Sequence, residues 1–160
     1  MKGKKKYYLK YKKGSKVMTI KMKYVGELEK PIKQTAGSAG IDLFNNEDAI
    51  SLKAGDTAKI KTGLYVAIPE NHVGLVFVRS SMGFKHDITL SNSVGVIDSD
   101  YRGEIQVKLF NHGDKGLIIN KGDRVAQLVI LPLCTEEVEY VEELDETSRG
   151  DGGFGSTGKN

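Results

Sequence analysis

The sequence predicts an all-β domain of the barrel or sandwich type. Apolar and polar residues alternate in short runs such as Thr19–Tyr24 and Glu104–Asn111, which is typical of half-buried strands. Glycine accounts for 19 of the 160 residues, about 12% against a usual ~7%, which favours many tight turns. Helical character is confined to a single expected turn at Ser80–Phe84. Many short strands without a periodic helix indicate a barrel or sandwich.

The other expected strands follow at short intervals along the chain. Thr57–Pro69 carries two strands divided at Gly63, and Val73–Val78 is a nearly continuous apolar run that indicates a buried strand. Val94–Ile97, a turn and Glu104–Phe110 are expected to form a hairpin. The remaining predicted strands are Gly116–Asn120, Arg124–Leu131 and Glu137–Val141.

The positive charges are concentrated at the start of the chain. Eight of the 24 basic residues lie in residues 1–17, which contain no acid, so residues 18–160 carry 16 basic and 21 acidic residues, a net charge of −5. We expect 1–17 to be a disordered Lys-rich extension, or the product of a start placed upstream of Met18. The folded domain is expected at 18–141, followed by a mobile acidic and then Gly-rich arm at 142–160.

Composition also bears on the compartment. The single cysteine, Cys134, excludes an internal disulfide and a Cys-rich zinc site, and it favours a reducing compartment. The apolar region of a secretory signal does not follow the lysines, and no run reaches the ~18 apolar residues of a membrane span. We therefore expect the cytoplasm, or the host cytoplasm if the chain is viral.

The segment "RGDGGFGSTGKN" at the C-terminus contains a match to a P-loop. Gly153–Lys159 reads G-x-x-x-x-G-K, but Asn160 stands where a P-loop has Ser or Thr. Without a hydroxyl there and a following helix, the match does not predict a nucleotide-binding P-loop.

Four internal segments combine glycines, small residues and charges between apolar strands: Ala36–Leu43, Arg79–Gly83, Ser91–Glu104 and Gly122–Gln127. Arg79 precedes Ser80 and Ser81 at the expected helical turn, an arrangement suited to an anion, although an ordinary capped turn is an equal alternative. Gln127 lies in an apolar run and needs a hydrogen-bond partner, whether structural, in a subunit contact or on a ligand.

The acidic residues of these segments are candidates for chemistry on phosphate. Asp98 ends an apolar strand, where partial burial would tune it as a general base, although Asp is also a common turn residue. Asp42, Asp100 and Asp123 complete the candidate acids, and the histidines show no metal-ligand spacing. The pattern points to metal-assisted chemistry rather than to a covalent nucleophile.

Taken in order, the four segments and the Gly-rich C-terminal segment resemble the five motifs of the trimeric dUTPase family (deoxyuridine 5′-triphosphate nucleotidohydrolases). The resemblance covers Met18–Gly158. It implies a jelly-roll-like β-barrel subunit and a homotrimer, in which each active site is built from three chains and closed by a swapped C-terminal arm. It also implies hydrolysis of dUTP to dUMP and pyrophosphate, which keeps uracil out of DNA and supplies dUMP for dTMP synthesis.

The resemblance implies a role for each motif residue. Asp98 would activate the water that attacks the α-phosphorus, and Asp42 would organise the waters around a Mg²⁺ held by the phosphates. Arg124 fits a structural or inter-subunit ion pair. The implied substrate-binding residues are Arg79, Ser80, Ser81, Gly83, Asn92, Gly95, Val96, Ile97, Tyr101, Gln106, Gln127, Arg149, Phe154, Gly155, Ser156 and Thr157.

These residues divide by the part of the nucleotide that they would contact. Arg79, the two serines after it and Gln127 would hold phosphates. Asn92 and the backbone of Gly95–Ile97 would read the uracil edge, with Gln106 closing that hairpin, and Tyr101 would exclude a ribose 2′-hydroxyl. In the arm, Phe154 would stack on uracil, while Arg149 and the residues Gly155, Ser156 and Thr157 would enclose the terminal phosphate.

Other functions remain open at this stage. A dCTP deaminase shares the fold, but "DSDYRG" at Asp98–Gly103 and the Gly-rich arm favour a dUTPase. An alternative from another functional class is a trimeric binding protein, with a dUTPase-like body that contacts a repressor or other regulatory partner. A nucleic-acid-binding module is disfavoured because the domain without its extension is net acidic.

Overall fold

The computed structural model describes residues 19–134 and 136–153, which contain eleven strands and one helix. The strands are β1 (Lys21–Tyr24), β2 (Ile41–Phe44), β3 (Ile50–Leu52), β4 (Thr57–Lys61), β5 (Leu64–Ala67), β6 (His72–Val78), β7 (Ile88–Leu90), β8 (Gly95–Ile97), β9 (Gln106–Asn111), β10 (Leu117–Ile119) and β11 (Arg124–Pro132). The helix α1 spans Ser80–His86.

The strands form four antiparallel sheets. The largest has the order β2-β11-β6-β8, a second has the order β4-β9-β7, and two further pairs are β1-β5 and β3-β10. Each sheet contributes fully buried side chains to one hydrophobic cluster, among them Leu43, Leu64, Leu109 and Ile119. The predicted all-β, jelly-roll-like barrel class is therefore confirmed.

The single helix lies where a helical turn was expected. It follows Arg79, whose extended backbone precedes the first turn, and it ends at Asp87 in the left-handed conformation. Met82 faces the core, while Lys85 and His86 occupy the last turn, where positive charge interacts favourably with the helix dipole. Among the described residues no helix is long and apolar enough to cross a membrane.

The strand predicted at Glu137–Val141 is wrong for the isolated chain. These residues have no strand pairing, and the side chains of Val138 and Tyr140 are 80% and 95% exposed. An alternating pattern makes a strand only when a neighbouring strand supplies hydrogen bonds and one face is buried, and the part of the chain that the structure describes offers the segment neither.

The predicted hairpin between Val94–Ile97 and Glu104–Phe110 is also wrong. β8 pairs with β6, whereas β9 pairs with β4 and β7 in another sheet. The connecting segment leaves the first sheet before Ile105, whose N–H donates to the carbonyl oxygen of Leu64 at 2.8 Å. Eight residues separate the two strands, too many for the tight turn that normally fixes a hairpin register.

Candidate functional site

Asp42 lies at the centre of a cluster of charges on β2. Its side chain is 11% exposed, and each carboxylate oxygen contacts a different arginine. Arg79 Nε is 3.0 Å from Oδ1, and Arg124 Nη1 donates to Oδ2 at 3.2 Å. One carboxylate against two guanidinium groups leaves the cluster net positive, as a binding site for a polyanion requires. The ion pair expected for Arg124 is thus present, within the chain.

The sheet register brings these side chains together from distant parts of the sequence. Gln127 of β11 lies opposite Asp42 on one side and Phe77 on the other. Arg79 directly follows β6, and its backbone N–H donates to the carbonyl oxygen of Val125 at 3.2 Å. Three predicted segments therefore meet at one end of the largest sheet.

Gln127 is held close to Gly40. A Cβ atom at position 40 would lie 3.0 Å from Gln127 Oε1 and 3.2 Å from Gln127 Cβ. Gly40 therefore leaves room for the Gln127 side chain on the face that carries Asp42.

The first turn of α1 is not the ordinary capped turn that was the alternative for this segment. Arg79 occupies the N-cap position without a side-chain capping hydrogen bond, since a guanidinium has no acceptor for a backbone N–H, and it pairs with Asp42 instead. Ser80 is exposed and Ser81 half-buried in the turn that follows. Gly83 belongs to the same helix, and its N–H donates to the Arg79 carbonyl oxygen at 3.2 Å.

A second group of predicted residues lies along β8 and the segment after it. Gly95, Val96 and Ile97 form β8, and Asn92 lies just before it, with Nδ2 4.0 Å from the position of a Cβ at Gly95. Asp98 follows the strand and is exposed, so the partial burial expected for it is wrong for the isolated chain.

Tyr101 and Gln106 are fixed by contacts with Glu104, a residue that the sequence did not single out. The Tyr101 hydroxyl donates to the Glu104 carbonyl oxygen at 3.0 Å, and its ring lies over Gly103, where a Cβ would be 2.3 Å from that hydroxyl oxygen. Gln106 Nε2 donates to Glu104 Oε2 at 3.0 Å, while Glu104 Oε1 accepts the Gly63 N–H at 2.8 Å. The only signal in the sequence was a Glu two positions before a Gln in a strand pattern.

The two groups lie at opposite ends of β6. Ile97 pairs with Gly74, so Asp98 lies opposite Val73 near the beginning of β6, whereas Arg79 follows its end. Val73 and Arg79 are six positions apart along the chain, which corresponds to about 20 Å at ~3.3 Å per residue. One phosphate group cannot contact both Arg79 and Asp98 of the same chain.

Arg149 lies in a turn of the C-terminal arm. Its Nε donates to the Gly152 carbonyl oxygen at 2.8 Å, and the Gly150 N–H donates to the Thr147 carbonyl oxygen at 3.0 Å. The other predicted arm residues, Phe154, Gly155, Ser156 and Thr157, lie outside the described residues, as does the Lys-rich extension.

The acidic residues fit a metal that binds together with a phosphate ligand. Within residues 19–134 and 136–153, no group of three or more His, Cys, Asp or Glu side chains is placed to hold a metal ion. Asp123 is committed to its turn, where Oδ2 accepts the Asn120 N–H at 2.7 Å. Mg²⁺ typically keeps several waters and takes one or two carboxylates plus substrate phosphates, and Asp42 beside an anion site suits that mode.

Comparison with known proteins agrees with this geometry. The model of the dUTPase family matches residues 27–158. A deoxyuridine 5′-triphosphate nucleotidohydrolase from Anaeromyxobacter sp. is 44% identical over 146 residues, covering 89% of this chain and 99% of the relative. The enzyme of that name from Acinetobacter baumannii is 47% identical over 131 residues, covering 81% of this chain and 87% of the relative.

Solved structures show the same similarity. The dUTPase of Staphylococcus bacteriophage 80alpha with dUPNHPP has a TM-score of 0.79 and 31% identity, over 88% of this chain and 98% of that one. A mutant dUTPase from phage phi11 of S. aureus, described with the coordination of a structural Mg(II) ion, has a TM-score of 0.71 and 28% identity, over 79% and 98% of the two chains. With its fold, its motif residues and its relatives in agreement, this chain belongs to the dUTPase family.

Proposed function

We propose that the protein hydrolyses dUTP to dUMP and pyrophosphate in active sites shared between the subunits of a homotrimer. The proposal of shared active sites rests on the distance that separates Asp98 from Arg79 along β6. If both act on one triphosphate, they must come from different chains, and cyclic assembly places one end of β6 of one subunit against the other end in its neighbour.

The cluster around Asp42 is the proposed phosphate site. Arg79 contacts Asp42 through Nε, which leaves the Nη edge of its guanidinium for phosphate oxygens. The hydroxyls of Ser80 and Ser81, in the turn that follows Arg79, and the amide of Gln127, opposite Asp42, would complete the polar lining. A Mg²⁺ bound by the three phosphates would neutralise charge that develops on them, with Asp42 holding waters of its shell.

β8 is the proposed reader of the uracil base. Among the described residues it is the terminal strand of its sheet, paired with β6 on one side only, so the outer backbone groups of Gly95, Val96 and Ile97 are available to a ligand. Amides and carbonyls arranged for uracil would leave the exocyclic amine of cytosine poorly paired, which disfavours dCTP. The carboxamide of Asn92 lies beside this edge.

Tyr101 is the proposed barrier to ribonucleotides. Its ring is fixed by the hydrogen bond to Glu104 and by its close approach to Gly103. A rigid ring packed beneath the sugar would leave no space for a 2′-hydroxyl, so UTP would be rejected.

Asp98 is the proposed general base. Its carboxylate would accept a proton from a water whose oxygen attacks the α-phosphorus. The bond between that phosphorus and the α–β bridging oxygen then breaks, and pyrophosphate leaves. In the isolated chain Asp98 is exposed, and the neighbouring subunit would bring the phosphate to it.

The C-terminal arm is proposed to close over the nucleotide. Phe154 would stack on the base, and Arg149 with Gly155, Ser156 and Thr157 would enclose the terminal phosphate, excluding bulk water. This activity would remove dUTP before its incorporation into DNA and would yield dUMP for dTMP synthesis. The exposed, free thiol of Cys134 fits a reducing compartment such as the cytoplasm.

Pyrophosphate release with Mg²⁺ from dUTP, dCTP, dTTP and UTP tests this proposal. We expect release from dUTP alone. Ammonia from dCTP would assign the protein to the deaminases that share the fold. Inactivity on every nucleotide would contradict the proposal and favour a binding protein with a dUTPase-like body, whose regulatory partner would then be sought.

A further inference from the structure

Arg124 belongs to the largest sheet at a point where the register is interrupted. β11 pairs with β2 through Gln127 and Asp42, then Ala126 and Leu43, but the next pair is Arg124 and Phe44. Val125 is therefore the extra residue of a β-bulge. Bulges are frequent next to active sites, where they redirect a side chain.

The bulge decides which face of the sheet carries Arg124. Side chains on one strand alternate between faces, so Asp42 and Phe44 share a face and Leu43 points to the other. Opposite Phe44, Arg124 lies on the face of Asp42. In an uninterrupted register Val125 would occupy that place, and the arginine would be directed to the core.

The same bulge is also joined to Arg79. Val125 and Ala126 are both fully buried, as expected when two consecutive residues of a bulge face the core. The carbonyl oxygen of Val125 accepts the backbone N–H of Arg79 at 3.2 Å. One irregularity thus sets the position of both arginines that contact Asp42.

The two ion pairs fix the orientation of the Asp42 carboxylate. Oδ1 contacts Arg79 and Oδ2 contacts Arg124, so rotation about the last side-chain bond would break both contacts. That torsion is intrinsically soft in aspartate, and a carboxylate with one arginine would be free to turn. Arg79 would then lose the anchor that directs its guanidinium.

From these contacts we infer that Arg124 is a positioning residue for the phosphate site, acting through Asp42 on Arg79. This role rests on the proposed function, because it assigns Arg79 to the phosphates of dUTP. Arg124 itself needs no contact with the nucleotide.

Kinetics of the Arg124→Gln variant test the inference. We expect kcat/KM for dUTP to fall by about 10- to 100-fold, the usual effect of losing a group that orients a ligand-binding side chain. Arg124→Lys should recover most of the loss, since a single nitrogen of Arg124 makes the contact. Lys121→Gln is the matched control, because it removes an exposed cation from the same turn, where Lys121 pairs only with Glu27 among the described residues.

A double-mutant cycle separates an indirect from a direct role. If Arg124 acts through Asp42, the combined Asp42→Asn and Arg124→Gln protein should be no less active than Asp42→Asn alone. Losses that multiply would show an independent contact with the nucleotide and overturn the inference. Wild-type kinetics in Arg124→Gln, or a loss equal to that of Lys121→Gln, would overturn it as well.

A crystal structure of the Arg124→Gln variant gives a readout that does not depend on turnover. We expect Asp42 to rotate and Arg79 to leave its position beside Oδ1. An unchanged contact between Arg79 and Asp42 would refute the positioning role even if the wild-type protein proved inactive on dUTP. Failure of the wild type on every nucleotide would instead contradict the proposed function, so the two failures are distinguishable.

Discussion

Gln127 lies directly opposite Asp42 across the β2–β11 pair, so the two side chains leave the sheet on the same face. They are separated by 85 residues in the sequence, and the antiparallel register alone makes them neighbours. Gly40 completes the arrangement, because Gln127 lies against its Cα hydrogens. This relationship leads to a prediction for Gly40.

Gly40→Ala should impair catalysis with little loss of stability. The new methyl would lie 3.0 Å from Gln127 Oε1, so the carboxamide must move away from the phosphate site, and the methyl's 3.2 Å approach to the Leu128 carbonyl oxygen should add a modest loss of stability. We expect kcat/KM for dUTP to fall by about tenfold, since small misplacements of positioning groups are costly. Gly37→Ala is the matched control, because a Cβ there meets nothing within 4 Å. Equal kinetics in the two variants would contradict the role of Gln127.

Gly103→Ala should weaken the discrimination between dUTP and UTP. A Cβ at position 103 would lie 2.3 Å from the Tyr101 hydroxyl oxygen and 2.5 Å from Cζ, and the ring can relieve the overlap by swinging away. We expect the ratio of kcat/KM for dUTP over UTP to fall by about tenfold or more, because the barrier to the 2′-hydroxyl is displaced. Gly116→Ala, where the nearest atoms are 3.7 Å away, should leave the ratio unchanged.

Gly63→Ala should destabilise the fold more than Gly55→Ala. Both glycines have positive φ, at +67° and +78°, which costs about 1–2 kcal/mol for a residue with a side chain. At Gly63 the Cβ would also lie 2.3 Å from the Val25 carbonyl oxygen, whereas at Gly55 it meets nothing within 4 Å. Urea unfolding at one protein concentration measures the difference. Equal losses would show that backbone strain alone, without the steric overlap, sets the cost.

Truncation after Gly150 should abolish most of the activity and leave the fold intact. Of the described residues that the truncation removes, Asp151 is exposed and Gly152 and Gly153 are half-buried, and none belongs to the hydrophobic core, so little buried surface is lost with them. The proposed closing residues, from Phe154 onward, would be lost with them. A protein ending at Gly158 is the control, since it keeps the Gly-rich segment. Full activity in the shorter protein, with Tm unchanged, would refute closure by the arm.

The sequence predicted most strands because alternation of apolar and polar residues is a local signal. β4, β5 and β9 lie within the predicted runs, and β6 and β11 each extend one residue beyond theirs, at His72 and Pro132. β2, β3 and β7 were not predicted, since runs of three or four residues carry too little pattern. Glu137–Val141 has the alternating pattern, but no strand among the described residues pairs with it, so the strand predicted from the pattern alone was wrong.

The sequence selects the residue types of the candidate site but not their geometry. Which arginine contacts Asp42 depends on strand register and on the bulge at Val125, neither of which leaves a local trace. Likewise the pairing of β8 with β6 reflects the tertiary path of the segment after Asp98, which a turn-rich sequence does not specify. Only the structure shows which segments of the chain meet across the sheet.

In the proposed homotrimer, one nucleotide is processed by Asp98 and Arg79 of different subunits. Co-expression of Asp98→Asn and Arg79→Gln chains with different tags, followed by purification of mixed trimers, tests it most directly. Arg79→Gln alone should bind dUTP poorly. Asp98→Asn alone should still bind dUTP but should hydrolyse it poorly. In a mixed cyclic trimer of either composition, one of the three sites would combine an intact Asp98 with an intact Arg79, so activity should return to roughly a third of wild type. No recovery would contradict shared sites, because a site confined to one chain would carry a defect in every subunit.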